Sequence, residues 1–305
     1  MHHFSLGSSQ PKFKATPSFL FTLILIVACL FSAGRAHAQG TLIPNVQQWT
    51  SGTGSFSFSS GSRIVLDPYY ASQLNTTANV LANDINYFYG VMPTVAIGSP
   101  NTGDIYLTLN STDSQVGSEG YSMIIGSYVS ISAKTDGGAF YGTRTFLQYL
   151  KQSWTISAGT VKDWPVYPVR GLMVDVGDMY FSMQWLENHI RDLAYLKLNT
   201  LHLHFSDNFG FRLASTSHPE LDNGMSQTYS HSDLQTLTAL AAQYHINIIP
   251  EIESPSHSTR IVAQHPELEL VGPNGTYPKP NMLDITIPGT RTLVKIGRAS
   301  CRERV

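Results

Sequence analysis

The stretch Leu201-His202-Leu203-His204-Phe205-Ser206-Asp207-Asn208 alternates apolar and polar residues and ends on an acid and an amide. Period-two alternation marks a strand with two unlike faces. In a (β/α)₈ barrel the outer face of each strand packs on helices, while the inner face can be polar. Leu201, Leu203 and Phe205 then supply the outer face, and His202, His204 and Ser206 point inward. Asp207 falls at the strand's carboxyl end, where such barrels keep their chemistry. The octet alone also suits an ordinary buried strand followed by a loop aspartate, so its neighbours must decide.

On the amino-terminal side, Leu172, Val174 and Val176 alternate with Gly171, Met173 and Asp175 as a first strand. A helix is expected from Met183 to Lys197, with Ser182 as its cap. On the carboxyl side, Phe209 to Ser230 reads as a long loop, of the kind that is usually functional. A helix from Ser232 to about His245 follows, then a third strand from Ile246 to Glu253. Ile246, Ile248, Pro250 and Ile252 face outward there, leaving Glu251 and Glu253 on the inner side. Ser258 to His265 suits a short helix. Strand–helix–strand–helix–strand argues for a parallel α/β architecture. Arg170 precedes the first strand, Asp207 ends the second, and Glu253 and His257 follow the third. The expectation is that these four groups share one rim, because a barrel enzyme must bring distant residues around one substrate.

Residues 39–165 read as a separate, small α+β unit. Phe56, Phe58 and Ile64-Val65-Leu66 suit strands. Leu74, Ala78, Leu81, Ile85 and Phe88 recur at helical spacing between Pro68 and Gly90, which serve as start and stop signals. Ile105–Leu109 alternates as a strand. Gly120–Ile125 and Tyr128–Ala133 suit a hairpin across Gly126-Ser127. A helix is expected from about Gly138 to Leu150, with Phe140, Phe146, Leu147 and Leu150 as its core stripe. Asp163-Trp164-Pro165-Val166-Tyr167-Pro168 reads as a proline-stiffened boundary.

The chain has 305 residues, a net charge of −2 and only 13 % charged residues, so no basic block points to nucleic acid. A surface rich in Tyr, Ser, Thr and Asn with few charges suits an extracellular protein that handles sugars. Lys12 and Lys14, the apolar run Phe19–Phe31 and Ala36-His37-Ala38 make residues 1–38 a secretory signal with cleavage near Ala38. The run is shorter than the about 20 residues a membrane span needs, so no membrane association is expected after cleavage. Cys29 lies in that leader and Cys301 near the end, so no disulfide is expected to hold the fold. Asn75, Asn110 and Asn274 open three glycosylation sequons.

Several strings carry a family resemblance. Gly138-Ala139-Phe140-Tyr141-Gly142 with Thr145-Phe146-Leu147-Gln148, then "VRGLMVDVG", "LNTLHLHFSDN" and "INIIPEIESPSH" in that order, resemble glycoside hydrolase family 20; "HPEL" and "NMLDIT" continue the match. The likeness covers about residues 55 to 294. It implies a partial (β/α)₈ (TIM) barrel of about three strands at 166–294, behind an α+β accessory domain at 39–165. The activity implied is removal of terminal β-linked N-acetylhexosamine from oligosaccharides or glycans, with neither cofactor nor metal. The sugar's own 2-acetamido oxygen would attack the anomeric carbon, an exception to the two-carboxylate scheme. By the resemblance, Arg170 grips hydroxyls of the non-reducing sugar. Asp207 and His257 support the general-acid glutamate. Glu253 stands where the family has an aspartate, one methylene shorter, and is placed with the substrate-binding residues. Asp178 falls where many members carry a basic residue.

The family's own Asp-Glu pair follows its fourth strand, and no adjacent Asp-Glu occurs in this sequence. The chain is therefore expected to be an inactive amino-terminal fragment. Lys295–Val305, KIGRASCRERV, carries five charges in eleven residues and reads like a translated sequencing adapter, so it is expected to be foreign. Three further readings remain open. The Ser-Asp-Asn version of the second strand suits lacto-N-biosidase-type release of a disaccharide. Aromatic residues and Arg170 suit a non-catalytic sugar-binding protein. His202-x-His204 suits a metal-dependent amidohydrolase, since alternate strand residues share a face.

Overall fold

The computed structural model describes residues 41–222, 226–275 and 281–302; the expected leader lies outside them. The first layer is a mixed seven-stranded sheet. Its strands are β1 Gln48–Ser57, β2 Ile64–Leu66, β3 Val95–Ile97, β4 Ile105–Thr108, β5 Tyr121–Ile125, β6 Val129–Ala133 and β7 Thr155–Asp163, in the order β1-β7-β5-β6-β4-β2-β3. β5 and β6 form the expected hairpin, with Ile125 opposite Val129. β3 and β7, and the first half of β1, carry no clear alternation. Thr, Ser, Gly and Ala dominate β7, yet it pairs on both sides, with β1 and β5.

Two helices cover this sheet, α1 Ala71–Tyr89 and α2 Asp136–Gln152. In α1, Leu74, Ala78, Leu81 and Ile85 are fully buried. Phe88 departs from the expected stripe: it is 47 % exposed and packs instead near Tyr195, with ring centroids 6.0 Å apart. Gly90 ends the helix in the left-handed region at φ 68° and donates to the Asn86 carbonyl, a conformation that only glycine adopts without a Cβ penalty. Every residue of α2 from Gly138 to Leu150 is buried, because this helix has the sheet on one side and the next layer's helices on the other.

That next layer is a three-stranded parallel sheet, β8 Gly171–Asp175, β9 Thr200–His204 and β12 Asn247–Glu251, in the order β12-β9-β8. A two-stranded ribbon, β10 Ser206–Asp207 with β11 Gly210–Phe211, follows β9. The crossover helices are α3 Met183–Tyr195 and α4 His231–Gln243. Ser182 caps α3 through the Trp185 amide, and Ser230 with Asp233 forms a capping box on α4. Leu201, Leu203 and Phe205 are buried against these helices, as alternation requires. The architecture is α/β: an accessory sheet-and-helix layer, then the first three strand–helix units of a barrel. A short helix α5 Thr259–Gln264 and a helix α6 Pro288–Arg302 complete the described elements. The backbone of α6 runs through Lys295, where a foreign tail is expected to begin.

Buried charges join the layers. Arg144 of α2 pairs with Asp84 of α1, whose other oxygen accepts from the Tyr244 hydroxyl at 2.7 Å. Lys197 reaches Asp163 at 2.7 Å and the Tyr121 hydroxyl at 3.0 Å. Asp163, expected as part of a linker, is thus the last residue of β7 and a buried counter-ion. Among the described residues no helix is long and apolar enough to cross a membrane.

Candidate active site

Register decides what meets at the sheet's carboxyl end. Asp175 of β8, His204 of β9 and Glu251 of β12 stand side by side. Parallel strands in register present aligned residues to one face, so all three share the inner side with His202. His202 Nε2 contacts the Glu251 carboxylate, and His204 Nδ1 lies 3.3 Å from Glu251 Oε1. Beyond the strand ends the chain is pinned by its own polar atoms: Phe205 N–H donates to the Glu251 carbonyl at 2.9 Å, and Glu253 N–H donates to Ser206 Oγ at 2.9 Å.

These anchors bring Asp207, Glu253 and His257 together, with His204 beneath them. His257 Nδ1 stands 2.7 Å from Glu253 Oε2 and 3.2 Å from Asp207 Oδ2. His204 Nε2 is 3.3 Å from the same Asp207 oxygen and 3.5 Å from Glu253 Oε2. Ser256 Oγ donates to the other Glu253 oxygen at 3.2 Å. His257 adopts a left-handed backbone, φ 51°, and its side chain is 47 % exposed, so it faces solvent while His204 does not. Burial pushes the His204 pKa down, but the Asp175 and Glu251 charges and hydrogen bonds to Glu251 and Asp207 outweigh it and hold His204 above its ordinary value. The cluster thus pairs a buried imidazole with two carboxylates and leaves a second imidazole at the mouth. One ligating atom from each of His204, Asp207, Glu253 and His257 lies within 4.8 Å of the others.

Arg170 is not part of this mouth, contrary to expectation. It precedes β8, so it sits at the amino end of the strand, about 16 Å of rise from Asp175. Its guanidinium is spent on structure there: Nε donates to the Lys197 carbonyl at 2.9 Å, and Nη1 donates to the Tyr167 carbonyl and to Glu119, each at 2.8 Å. The physical reason is direction. A residue before a strand and one after it lie at opposite ends of the sheet, and an arginine side chain cannot span the difference. His204 and Glu251 are the members that the sequence reading left out of the site. Alternation had already turned them inward; what was missing was the register that sets them beside Asp175. Of the pair His202-x-His204, only His204 enters the four-group cluster, while His202 turns to Glu251.

Fold and cluster together are those of a parallel barrel segment with imidazoles and carboxylates gathered at its strand ends, joined to a sheet-and-helix domain. The profile described as "Glycosyl hydrolase family 20, catalytic domain" matches residues 167–294, and that of "Glycosyl hydrolase family 20, domain 2" matches residues 39–164. The chain belongs to glycoside hydrolase family 20. It is 33 % identical to a lacto-N-biosidase of Bifidobacterium bifidum over 81 % of its own length and 21 % of that protein. It is 31 % identical to beta-hexosaminidase subunit A1 of Dictyostelium discoideum over 90 % of its length and 53 % of that protein. Among solved structures, the family 20 beta-N-acetylhexosaminidase from Streptomyces coelicolor aligns at TM-score 0.71 and 27 % identity, covering 83 % of this chain and 55 % of that one. The chain thus spans about a fifth to a half of the curated relatives it matches.

Proposed function

We propose that this chain is the amino-terminal part of a secreted β-N-acetylhexosaminidase that acts by substrate-assisted retaining hydrolysis. The observation that carries this reading is the convergence of His204, Asp207, Glu253 and His257 at the ends of adjacent parallel strands. Two histidines bridging two carboxylates form a relay that can hold a neighbouring general acid in one orientation and tune its proton affinity. Asp207 and His257 are assigned that supporting role. Glu253, through its 2.7 Å contact with His257, fixes the imidazole at the mouth. The general acid itself, and the aspartate that orients the 2-acetamido group, belong to an Asp-Glu pair absent from this sequence. The chain as given is therefore expected to be inactive, and its substrates are N-acetylhexosamine-terminated glycans only in the longer protein.

A second reading, release of a disaccharide, is favoured by the 33 % identity to a lacto-N-biosidase. One experiment addresses both. In a chain extended to the length of its relatives, turnover is measured on a chromogenic N-acetylglucosaminide and on a lacto-N-bioside. Faster release from the second substrate selects the disaccharide reading. Asp207→Asn is expected to lower kcat by about 10²-fold or more, the scale of a disturbed general acid. Wild-type turnover in that variant removes the assigned role.

A further inference from the structure

Away from the four-group cluster, a tetrapeptide occurs twice in this chain: His218-Pro219-Glu220-Leu221 and His265-Pro266-Glu267-Leu268. Each copy folds the same way. Proline opens a single 3₁₀ turn, Pro219–Leu221 or Pro266–Leu268, and the leucine is buried. The first copy lies in the segment between β11 and α4, and the second follows α5. Both therefore belong to connections that leave the carboxyl ends of neighbouring strands. Arg260, in the helix that leads into the second copy, holds the first, donating from Nε to the Leu221 carbonyl at 2.7 Å and from Nη2 to the Glu220 carbonyl at 3.3 Å.

The packing leaves one carboxylate between two imidazoles. Glu220 Oε1 is 2.7 Å from His218 Nδ1 and 3.0 Å from His265 Nε2, and one ligating atom of each residue lies within 4.8 Å of the other two. We propose that His218, Glu220 and His265 form a binding site for one divalent transition-metal ion of the zinc class, which clips the two connections to each other.

Three observations support this. First, two imidazoles and one carboxylate are a donor set that zinc accepts, with a fourth position open to water. Donors around a tetrahedral ion at about 2.0–2.1 Å stand roughly 3.3 Å apart. The existing 2.7 and 3.0 Å separations reach that by a small rotation of the Glu220 side chain. Second, the remaining nitrogen of His265 is already oriented. Its Nδ1 lies 3.3 Å from Glu267 Oε1, the carboxylate–histidine arrangement that fixes a ligating ring's tautomer. Third, the three side chains are only 20 %, 34 % and 24 % exposed, enough for an ion to enter while the loops limit competing water.

The test uses the full chain, stripped with a chelator and titrated with Zn²⁺ by calorimetry, with Co²⁺ as a spectroscopic substitute. The expected result is one ion per chain and a visible Co²⁺ band of four-coordinate intensity. His265→Ala is expected to weaken binding at least 100-fold, and Glu267→Gln by about 10-fold, as for an outer partner of a ligating histidine. His257→Ala is expected to leave binding unchanged, since it belongs to the other cluster. Zinc X-ray absorption should show two imidazoles in the wild-type chain, and His257→Ala should leave both in place. Absence of binding overturns the proposal. So does an ion that survives His265→Ala, or an ion lost with His257→Ala. None of these readouts depends on hydrolytic activity.

Discussion

His204 shows how a single side chain is set by three strands. Its burial alone would favour the neutral ring, yet the aligned carboxylates of Asp175 and Glu251 favour the imidazolium enough to raise its pKa above the ordinary value. A histidine raised above its unfolded value of about 6.5 stabilises the native state fully below that pH and loses the contribution as pH rises through the folded value. The unfolding midpoint is thus expected to fall as pH climbs from about 6 through that window, and His204→Asn should flatten the curve. Thermal unfolding at a series of pH values reads this directly. Glu220 works in the opposite sense: its contribution is present above the usual carboxylate range and is lost as pH falls toward about 2. A second residue-scale prediction concerns Arg170. Its donors are taken by Lys197, Tyr167 and Glu119 at the amino end of β8. In the extended enzyme, Arg170→Ala should therefore lower the unfolding midpoint and leave KM within about two-fold of wild type, since contacts far from a site rarely set substrate binding. A large rise in KM would restore it to the substrate site.

At the scale of elements, α2 is the part whose sequence was most readable and whose details were not. The stripe of Phe140, Phe146, Leu147 and Leu150 announced a buried helix, and those residues are buried. Gly138 is the expected start of this helix. In the fold it lies within the helix, and a Cβ there would stand 2.3 Å from the Gly120 carbonyl oxygen and 3.0 Å from Ala133. The glycine is required by close approach of α2 to the start of β5. Gly138→Ala should destabilise the chain by about 1–3 kcal/mol, the range for overpacking a core, despite alanine's better helix propensity. Denaturant unfolding measures it; a stabilised variant would show that the helix can shift aside. The same limit explains β7. Its small and hydroxylated residues carry no distinct pattern, and only pairing with β1 and β5 makes it a strand.

For the whole molecule, the joint between the accessory layer and the barrel rests on buried charge. Arg144 and Asp84 are almost wholly withdrawn from water, and Tyr244 of the barrel side completes the carboxylate's bonds. Removing one partner leaves the other charged and unpaired. Arg144→Ala should cost about 3–5 kcal/mol, and Tyr244→Phe about 1–3 kcal/mol. Equilibrium unfolding of both variants and of the double mutant tests this. Additive losses would mean that the three groups do not act as one network. Lys197 repeats the arrangement at the other end of the joint: burial lowers its pKa, and Asp163 opposes that shift.

The sequence by itself determined the α/β class, the order of strands and helices, the inward-facing histidines and acids, and the family. Each of these depends on local periodicity, capping or short motifs, which a chain carries wherever it folds. Tertiary structure alone decided that His204 and Glu251 belong with Asp207, Glu253 and His257, that Arg170 stands at the far end of the sheet, and that two distant His-Pro-Glu-Leu turns meet. Those facts depend on strand register and on which end of a strand a residue occupies after packing. Neither is encoded in spacing along the chain, because partners 47 residues apart are set side by side only when the sheet forms between them.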